Sequence, residues 1–343
     1  MSARGSLDFA YPPCVPPLWA RGGHVQTIAS HLAPSRAPRL APGDARSANT
    51  RQVFVELADG DVLSVLERSG TSDVRVLVLH GLSGDTNADY VTRLAAALAA
   101  RGHGLWAVDH RGCGFGAGLA RHPYHSGRTE DLAALVAASR RAAPHLVHVV
   151  VGFSMSGNIA LLHAGRREPH LPDALVAVNP PVDLAGASRA VSRGLSRLYD
   201  LRFVTRLRRE LARRRRAGTL AFDAHVPRLA TLCDFDDLFT APASGFASGA
   251  DYHARCSALP HLRCIEVPTV IVTARDDPFV DASVYDRAAP SQHVHLRIEE
   301  HGGHVGYLDR EWRRGSRWID GALVAFVETL AARVRERAHV GPR

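Results

Sequence analysis

The sequence predicts an α/β protein with a mainly parallel central sheet, helices on both faces of the sheet, and an inserted helical cap. Short apolar runs alternate with segments of helical composition through most of the chain, an alternation typical of parallel sheets covered on both faces. Residues 183–260 interrupt that alternation. We therefore divide the 343 residues into an N-terminal arm that packs on the core (1–50), a core (51–182 and 261–343) and a cap insertion (183–260).

The elements follow one another in a regular order. The first fifty residues are rich in Pro, Ala and Arg and have no steady periodicity, so we expect an irregular arm. A hairpin follows, because residues 53–57 and 62–66 alternate apolar and polar around Asp59-Gly60, a strong turn signal.

Beyond the hairpin, strands and helices alternate. Strands are predicted at 74–79, 105–108, 147–151, 175–178, 269–273 and 294–298, and helices at 90–100, 131–141, 159–163 and 283–287. In a closing amphipathic helix, apolar residues recur at helical spacing: Ile319, Leu323, Phe326, Leu330 and Val334. In such sheets the ligand site lies outside the carboxyl ends of the strands.

Composition excludes several kinds of chemistry. All 42 basic residues are arginine, so a phosphate-binding loop of the Walker type and a pyridoxal Schiff base, which both need lysine, are excluded. The five cysteines are scattered and odd in number, as is typical of reduced thiols in a cytoplasmic protein. We expect no signal peptide, no transmembrane helix and no cofactor.

Ser154 is the candidate nucleophile. Residues 149–157 read Val-Val-Val-Gly-Phe-Ser-Met-Ser-Gly, an apolar strand that runs into a turn of small residues. A sharp strand-to-helix turn exposes a serine hydroxyl above the sheet edge, beside the free N–H groups of the following helix. The usual pattern at such a turn is G-x-S-x-G, and Ser156 stands in the place of its second glycine. A side chain at this position could change the geometry of the turn.

Two later loops supply an acid and a base in the order nucleophile, acid, histidine. Asp276 and Asp277 follow the strand that ends at Thr273, and spacing favours Asp277 as the acid. His301-Gly-Gly-His304 follows the last strand, and the two glycines favour His304 over His301 as the base. All three loops should open on one edge of the sheet.

The oxyanion of a tetrahedral intermediate needs hydrogen-bond donors, and two backbone N–H groups are candidates. The strand before the first helix ends in His80-Gly81-Leu82, where a glycine turn can aim the Leu82 N–H at the site. Met155, the residue after the nucleophile, supplies the second N–H. Loss of one such donor typically lowers the rate by about 10²–10³.

Other features have simpler interpretations. The pairs His301/His304 and His122/His125 have metal-ligand spacing but no completing cluster, so we expect no metal. Much of the net charge of +8 lies between Arg189 and Arg216. We interpret this stretch as a solvated cap helix; the alternative is weak contact with an anionic membrane surface. We expect no nucleic-acid partner.

The chain resembles the YheT-like branch of the α/β-hydrolase superfamily (AB hydrolase family four) over nearly its whole length. The resemblance is not confined to the nucleophile, acid and histidine loops. The resemblance is carried by Gly22-Gly-His-Val-Gln-Thr27, His80-Gly-Leu-Ser-Gly84, Arg111-Gly-Cys-Gly114, Tyr124-His-Ser-Gly127 with Glu130-Asp131, Gly152-Phe-Ser-Met-Ser-Gly-Asn158, Phe235-Asp-Asp-Leu-Phe-Thr-Ala-Pro242, Asp251-Tyr252, Asp276-Asp-Pro278 and His301-Gly-Gly-His304. It implies the α/β-hydrolase fold, a Ser-Asp-His triad and carboxylesterase or lipase activity on acyl esters.

The sequence thus predicts a serine esterase acting on a small-molecule acyl ester. Ser154, Asp277 and His304 form the expected triad, and the N–H groups of Leu82 and Met155 the expected oxyanion hole. Two alternatives stay open. A thioesterase, amidase or acyltransferase would use the same residues, and a non-catalytic protein of this fold would only bind a ligand.

Overall fold

The computed structural model describes residues 9, 11–33, 35–43 and 50–340, and an eight-stranded sheet lies at its centre. The strands are β1 (Arg51–Glu56), β2 (Val62–Arg68), β3 (Val74–Leu79), β4 (Gly104–Asp109), β5 (Val147–Phe153), β6 (Ala174–Val178), β7 (Thr269–Ala274) and β8 (Val294–Glu299). Their order across the sheet is β1-β2-β4-β3-β5-β6-β7-β8. The β1/β2 and β2/β4 pairs are antiparallel and the others parallel, which confirms the predicted sheet.

The helices lie before, between and after these strands. They are α1 (Gly23–Leu32), α2 (Asp89–Ala100), α3 (Thr129–Ala142), α4 (Met155–Gly165), α5 (Leu184–Val191), α6 (Arg197–Arg216), α7 (Leu232–Phe235), α8 (Ala241–Ala243), α9 (Gly249–Cys256) and α10 (Trp318–Val340). A π-helical turn (Asp236–Thr240) joins α7 to α8. None of the helices in the described ranges combines the length and apolarity needed to cross a bilayer.

Apolar residues cover both faces of the sheet because side chains alternate along each strand. On β3, Leu77 joins a core cluster with residues of α3 and α4, whereas its neighbours Val76 and Val78 join a second cluster with residues of α2 and α10. The helices are therefore divided between the two faces. This arrangement leaves the carboxyl ends of the parallel strands free to carry a site.

Three sequence-based expectations differ from the structure. The arm is not irregular throughout, because residues 23–32 form α1; the same expectation for residues 1–8, 10, 34 and 44–49 lies outside the described residues. The segment expected as a helix at 283–287 is a 3₁₀ helix, Ala282–Arg287. In the cap, a break at Gly194, with a φ of +52°, separates α5 from α6.

Between β6 and β7 the chain leaves the sheet and forms α5 to α9. Part of this interval has a small apolar cluster of its own: Val204, Leu207, Leu211, Val226, Ala230, Phe235 and Phe239. We keep the boundaries of the cap at 183–260, and those of the core and arm, as proposals.

Candidate active site

Ser154 lies at the turn between β5 and α4, at the carboxyl edge of the sheet. Its backbone has a φ of +52° and a ψ of −119°, a strained conformation for a residue other than glycine. Its N–H donates to the Val178 carbonyl at the end of β6, at 2.8 Å. The turn therefore has the geometry of a nucleophile elbow.

The elbow accommodates Ser156 because the closest backbone contacts fall on two other residues, both glycines. A Cβ atom on Gly152 would lie 2.5 Å from the Ser156 carbonyl oxygen, and one on Gly157 would lie 3.0 Å from the Gly152 carbonyl oxygen. These two glycines allow α4 to approach β5 closely. The Ser156 side chain is directed elsewhere, toward the loop that follows β3.

The three residues predicted as a triad converge. Ser154 Oγ lies 2.8 Å from His304 Nε2, and His304 Nδ1 lies 2.9 Å from Asp277 Oδ2. These distances fit a serine hydroxyl that donates to the imidazole and an imidazole N–H that donates to the carboxylate. Three segments far apart in sequence thus meet through direct hydrogen bonds.

Asp277 is held by four donors. Its Oδ1 accepts the N–H groups of Phe279 and Val280 at 2.8 and 3.1 Å, and its Oδ2 accepts Asn179 Nδ2 at 2.7 Å as well as the His304 ring. The carboxylate side chain is fully buried. Each oxygen thus has its partners, which keeps the carboxylate in a fixed orientation.

Asn179 was missed by the sequence analysis. It follows β6 directly, and its side chain also donates to the Gly303 carbonyl at 3.1 Å while accepting from the Tyr307 hydroxyl at 2.9 Å. Asn179 therefore links the acid loop to the histidine loop. A polar residue at the carboxyl end of an apolar strand was the signal that could have found it.

Asp276 has different hydrogen-bond partners from Asp277. Its Oδ1 accepts the N–H groups of Gly302 and Gly303 at 2.9 and 2.8 Å, and its Oδ2 lies 3.4 Å from His301 Nδ1. Asp276 thus fixes the loop that carries His304. In the geometry of this site, Asp277 and His304 make the contacts expected of the acid and the base, and Asp276 and His301 do not.

Helix α1 packs against the same loop. The Thr27 hydroxyl accepts the His304 N–H at 2.9 Å and donates to the Gly23 carbonyl at 2.7 Å. The contact leaves no spare room, because a Cβ atom on Gly303 would lie 2.5 Å from the Gly23 carbonyl oxygen. The N-terminal segment is therefore part of the wall that positions His304.

The two candidate oxyanion donors flank Ser154. A Cβ atom on Gly81 would lie 3.1 Å from the Ser154 Cβ, so the loop after β3 touches the elbow. The Gly81 and Ser83 N–H groups donate to the hydroxyls of Tyr90 and Tyr124, whereas the Leu82 N–H has no acceptor within the described part of the chain. Met155 opens α4, where first-turn N–H groups lack acceptors within the helix.

A pocket of about 120 Å³ lies beside the Ser154 hydroxyl and is bounded by Leu82, Met155 and His304. Most of its wall is apolar and comes from the cap: Leu184, Val191, Phe203, Leu207, Leu232 and Phe235. Polar side chains also reach it, among them His253 and Asp236, whose Nε2 and Oδ2 atoms lie 2.8 Å apart. Burial raises the pKa of Asp236.

The members of each histidine pair with metal-ligand spacing have different surroundings; His301 contacts Asp276, whereas His304 contacts Ser154 and Asp277. His122 pairs with Asp61, whereas His125 is buried in the pocket wall. Asp59, Asp61 and His122 bring their ligand atoms within 4.8 Å of one another. The Arg111 guanidinium contacts both carboxylates, at 2.6 and 2.7 Å, and also pairs with Asp131 at 2.6 Å, so a cation is already present among these acids.

Comparisons with known proteins agree with this fold. Residues 74–311 match the family described as alpha/beta hydrolase fold. The chain is 34% identical to the protein named putative esterase YheT of Escherichia coli (strain K12), over 80% of this chain and 84% of that one. It is 23% identical to phospholipase ABHD3 of Homo sapiens, over 92% and 78% of the two chains.

Solved structures show the same architecture. The Pyrococcus furiosus esterase Pf2001 superposes with a TM-score of 0.56 at 19% identity, over 86% of this chain and 98% of that one. The likeness to YheT confirms the resemblance drawn from the sequence motifs. The chain belongs to the α/β-hydrolase family and, within it, to the family of YheT.

Proposed function

We propose that this chain is a serine hydrolase that cleaves carboxylic esters through an acyl-enzyme. The observation that carries the proposal is the hydrogen-bonded series Ser154, His304 and Asp277, with spacings of 2.8 and 2.9 Å, at the wall of an apolar pocket. Family membership supports it, because its relatives bear the names esterase, phospholipase and monoacylglycerol lipase.

In the first half of the reaction, Ser154 Oγ bonds to the ester carbonyl carbon and His304 Nε2 takes the serine proton. Asp277 orients the imidazole and stabilises its cation. The negative charge on the carbonyl oxygen is held by the N–H groups of Leu82 and Met155. The bond to the alcohol oxygen then breaks, and the alcohol leaves with the proton from His304.

In the second half, a water molecule gives a proton to His304 Nε2 and attacks the acyl carbon. Collapse of the second tetrahedral intermediate releases the carboxylic acid, and the proton returns to Ser154. General-base assistance of this kind contributes about 10²–10⁴ to the rate. All of these steps use side chains and N–H groups of the chain itself.

The pocket favours an apolar acyl group as the substrate. Its wall is mostly aliphatic and aromatic, so burial of hydrocarbon there is favourable, whereas a charged acyl group would lose its hydration. The pair Asp236 and His253 belongs to the polar part of the wall and offers a hydrogen-bonding point for an oxygen on the substrate.

A fluorophosphonate probe and a substrate screen test the proposal. We expect the probe to label Ser154, and we expect turnover of acyl esters that the Ser154→Ala variant loses by a factor of at least about 10³. Esters, thioesters and amides of matched acyl chains are compared side by side. Faster turnover of thioesters or amides would point to a different leaving group. A folded protein that stays unlabelled would show a binding role instead.

The two neighbouring aspartates provide a sharper test of the assigned acid. We expect Asp277→Asn to lower kcat by about 10³–10⁴, because the amide cannot stabilise the imidazolium cation. Asp276→Asn should act mainly on stability, since the amide retains an acceptor oxygen for the N–H groups of Gly302 and Gly303. Equal losses of kcat in the two variants would contradict the assignment.

A further inference from the structure

Six large apolar side chains lie exposed on α1, which packs against the His304 loop, and around the beginning of α6, whose inner side lines the pocket. We call this set the docking face; its members are Val25, Ile28, Leu32, Leu195, Leu198 and Leu201. Leu32 is 75% exposed and Leu198 is 70% exposed. A group of exposed apolar side chains on neighbouring helices marks an interaction site more often than a scattered single residue does.

The two helices that carry the docking face contact each other. On α1 its three residues follow at spacings of three and four, so they form one stripe along the helix. The side of α1 next to that stripe reaches α6. His31 Nε2 lies 2.8 Å from Arg202 Nη2, and the His24 ring stacks on the Tyr199 ring with centroids 5.7 Å apart.

Arginines without acidic partners continue this surface along α6. The exposed ones are Arg202, Arg206, Arg209, Arg213 and Arg216. In the described ranges none of these five forms an ion pair with a carboxylate, whereas Arg215 on the same helix pairs with Asp223. The surface thus combines apolar side chains with positive charge that forms no direct ion pair, the pattern of a helix that lies on an anionic membrane surface.

The docking face is directly connected to the candidate active site. The inner side of α6 contributes Phe203 and Leu207 to the pocket wall. From the junction of α1 and α6, ring contacts lead inward: Tyr199 to Phe279 with centroids 4.8 Å apart, and Phe279 to His304 at 4.7 Å. A surface that covered the docking face would therefore lie beside the pocket.

We propose that the docking face binds the surface of an anionic lipid bilayer, with its apolar side chains among the acyl chains and the arginines of α6 at the headgroups. Charge favours this occupant over a second copy of the chain. An isologous dimer through this face would bring the same unpaired arginines together, and like charges repel. The proposal does not depend on the proposed function, because docking requires no hydrolysis.

Vesicle sedimentation tests docking directly. The Ser154→Ala protein, which should leave lipid intact, is spun with phosphatidylcholine vesicles that contain or lack phosphatidylglycerol. We expect binding to the anionic vesicles that weakens at high salt. Each of the variants Ile28→Ser and Leu198→Ser should lower the partition coefficient about tenfold, and each of Arg202→Gln and Arg209→Gln about fivefold.

A matched control lies at the edge of the sheet. Phe54 on β1 is 56% exposed, and Phe54→Ser should bind vesicles like the parent protein. With the active serine restored, Ile28→Ser and Leu198→Ser should turn over a dissolved short-chain ester at the parent rate, since neither residue lines the pocket. That comparison separates a failure of docking from a failure of the proposed function.

Three outcomes would overturn the proposal. The first is a parent protein that does not sediment with anionic vesicles. The second is a loss of binding in Phe54→Ser as large as in Leu198→Ser. The third is a parent protein that is a dimer in analytical ultracentrifugation and that Leu198→Ser converts to a monomer without any effect on vesicles, which would make the face an interface between copies.

Discussion

Ser156 replaces the glycine of the usual elbow pattern, and its hydroxyl joins the elbow to the loop after β3. It donates to the His80 carbonyl and lies 2.7 Å from His110 Nε2. The backbone N–H of His110 donates to His80 Nε2, so His80 carries its proton on Nδ1, which donates to the Gly81 carbonyl. Burial lowers the pKa of His80 to about 4, and that of His110 also falls, so both rings are neutral at pH 7.

This network holds the loop that presents the Leu82 N–H. Removing the Ser156 hydroxyl leaves His110 Nε2 and the His80 carbonyl with poorer partners in a dry interior, which costs about 1–3 kcal/mol. We therefore expect Ser156→Ala to lower the free energy of unfolding by that amount and to lower kcat more than it changes KM. Urea unfolding and steady-state kinetics measure the two effects.

Ser156→Gly restores the common pattern and separates local packing from the hydrogen bonds. It removes the same hydroxyl and adds the cost of glycine in a helix, about 1 kcal/mol. We expect it to be the less stable of the two variants. If Ser156→Gly were as stable and as active as the parent, the hydroxyl would have no positioning role.

At the scale of elements, helix α1 could not be predicted from the sequence, whereas the strands could. The strands after the hairpin were predicted to within two residues because each is a short apolar run. Helix α1 has the reverse pattern: its buried face carries Gln26 and Ser30, whereas its exposed face is apolar. Gln26 accepts the Leu308 N–H at 2.7 Å, and Ser30 donates to the Gly306 carbonyl at 2.9 Å, so polar contacts to a distant loop replace apolar burial.

Helix α6 contains a carboxyl that titrates in an unusual range. Glu210 lies against Arg214, 3.7 Å away, with its side chain only 16% exposed. Burial is the main cause that raises the pKa of Glu210, from 4.5 to about 7, and the nearby arginines oppose the rise. The folded state therefore binds this proton more tightly than the unfolded chain does. Glu210 contributes stability below about pH 4.5 and loses it as the pH rises through 7.

We expect this loss to appear as a difference between the parent protein and Glu210→Gln. Between pH 4.5 and 8 the free energy of unfolding of the parent should fall relative to the variant by up to about 3 kcal/mol. Urea unfolding at several pH values measures the difference. The contributions of the other titrating groups cancel in it, because both proteins contain them. Glu336→Gln, on the exposed side of α10, is the control and should follow the parent. A parallel course for parent and Glu210→Gln would contradict the assigned pKa.

At the scale of the whole molecule, the parallel sheet explains why it could be predicted that Ser154, Asp277 and His304 meet. The loops of Ser154, Asp277 and His304 are distant in sequence, but each follows the carboxyl end of a strand, and those ends share one edge. The contact of Thr27 with the His304 backbone could not be predicted, because it depends on how the arm folds back. The cytoplasmic location stays a prediction.

A buried ion pair joins α2 to α10 on the face of the sheet that these two helices cover. Arg93 Nε lies 2.9 Å from Asp320 Oδ2, and both side chains are less than a tenth exposed. Burial raises the pKa of Asp320, which its charge partner opposes. We expect Asp320→Ala to lower the free energy of unfolding by about 3–5 kcal/mol, because it leaves the Arg93 charge buried without a partner. Urea unfolding measures the loss.

The same two elements supply the control. Arg101 at the end of α2 pairs with Glu328 on α10 at 2.8 Å, but this pair is exposed to solvent. Glu328→Ala should therefore change stability little, since water and salt screen such pairs. The double variant Arg93→Met with Asp320→Leu should recover most of the loss, because apolar side chains of similar volume need no charge partner. Equal destabilisation by Asp320→Ala and Glu328→Ala would show that burial of the pair has no special role in joining the helices.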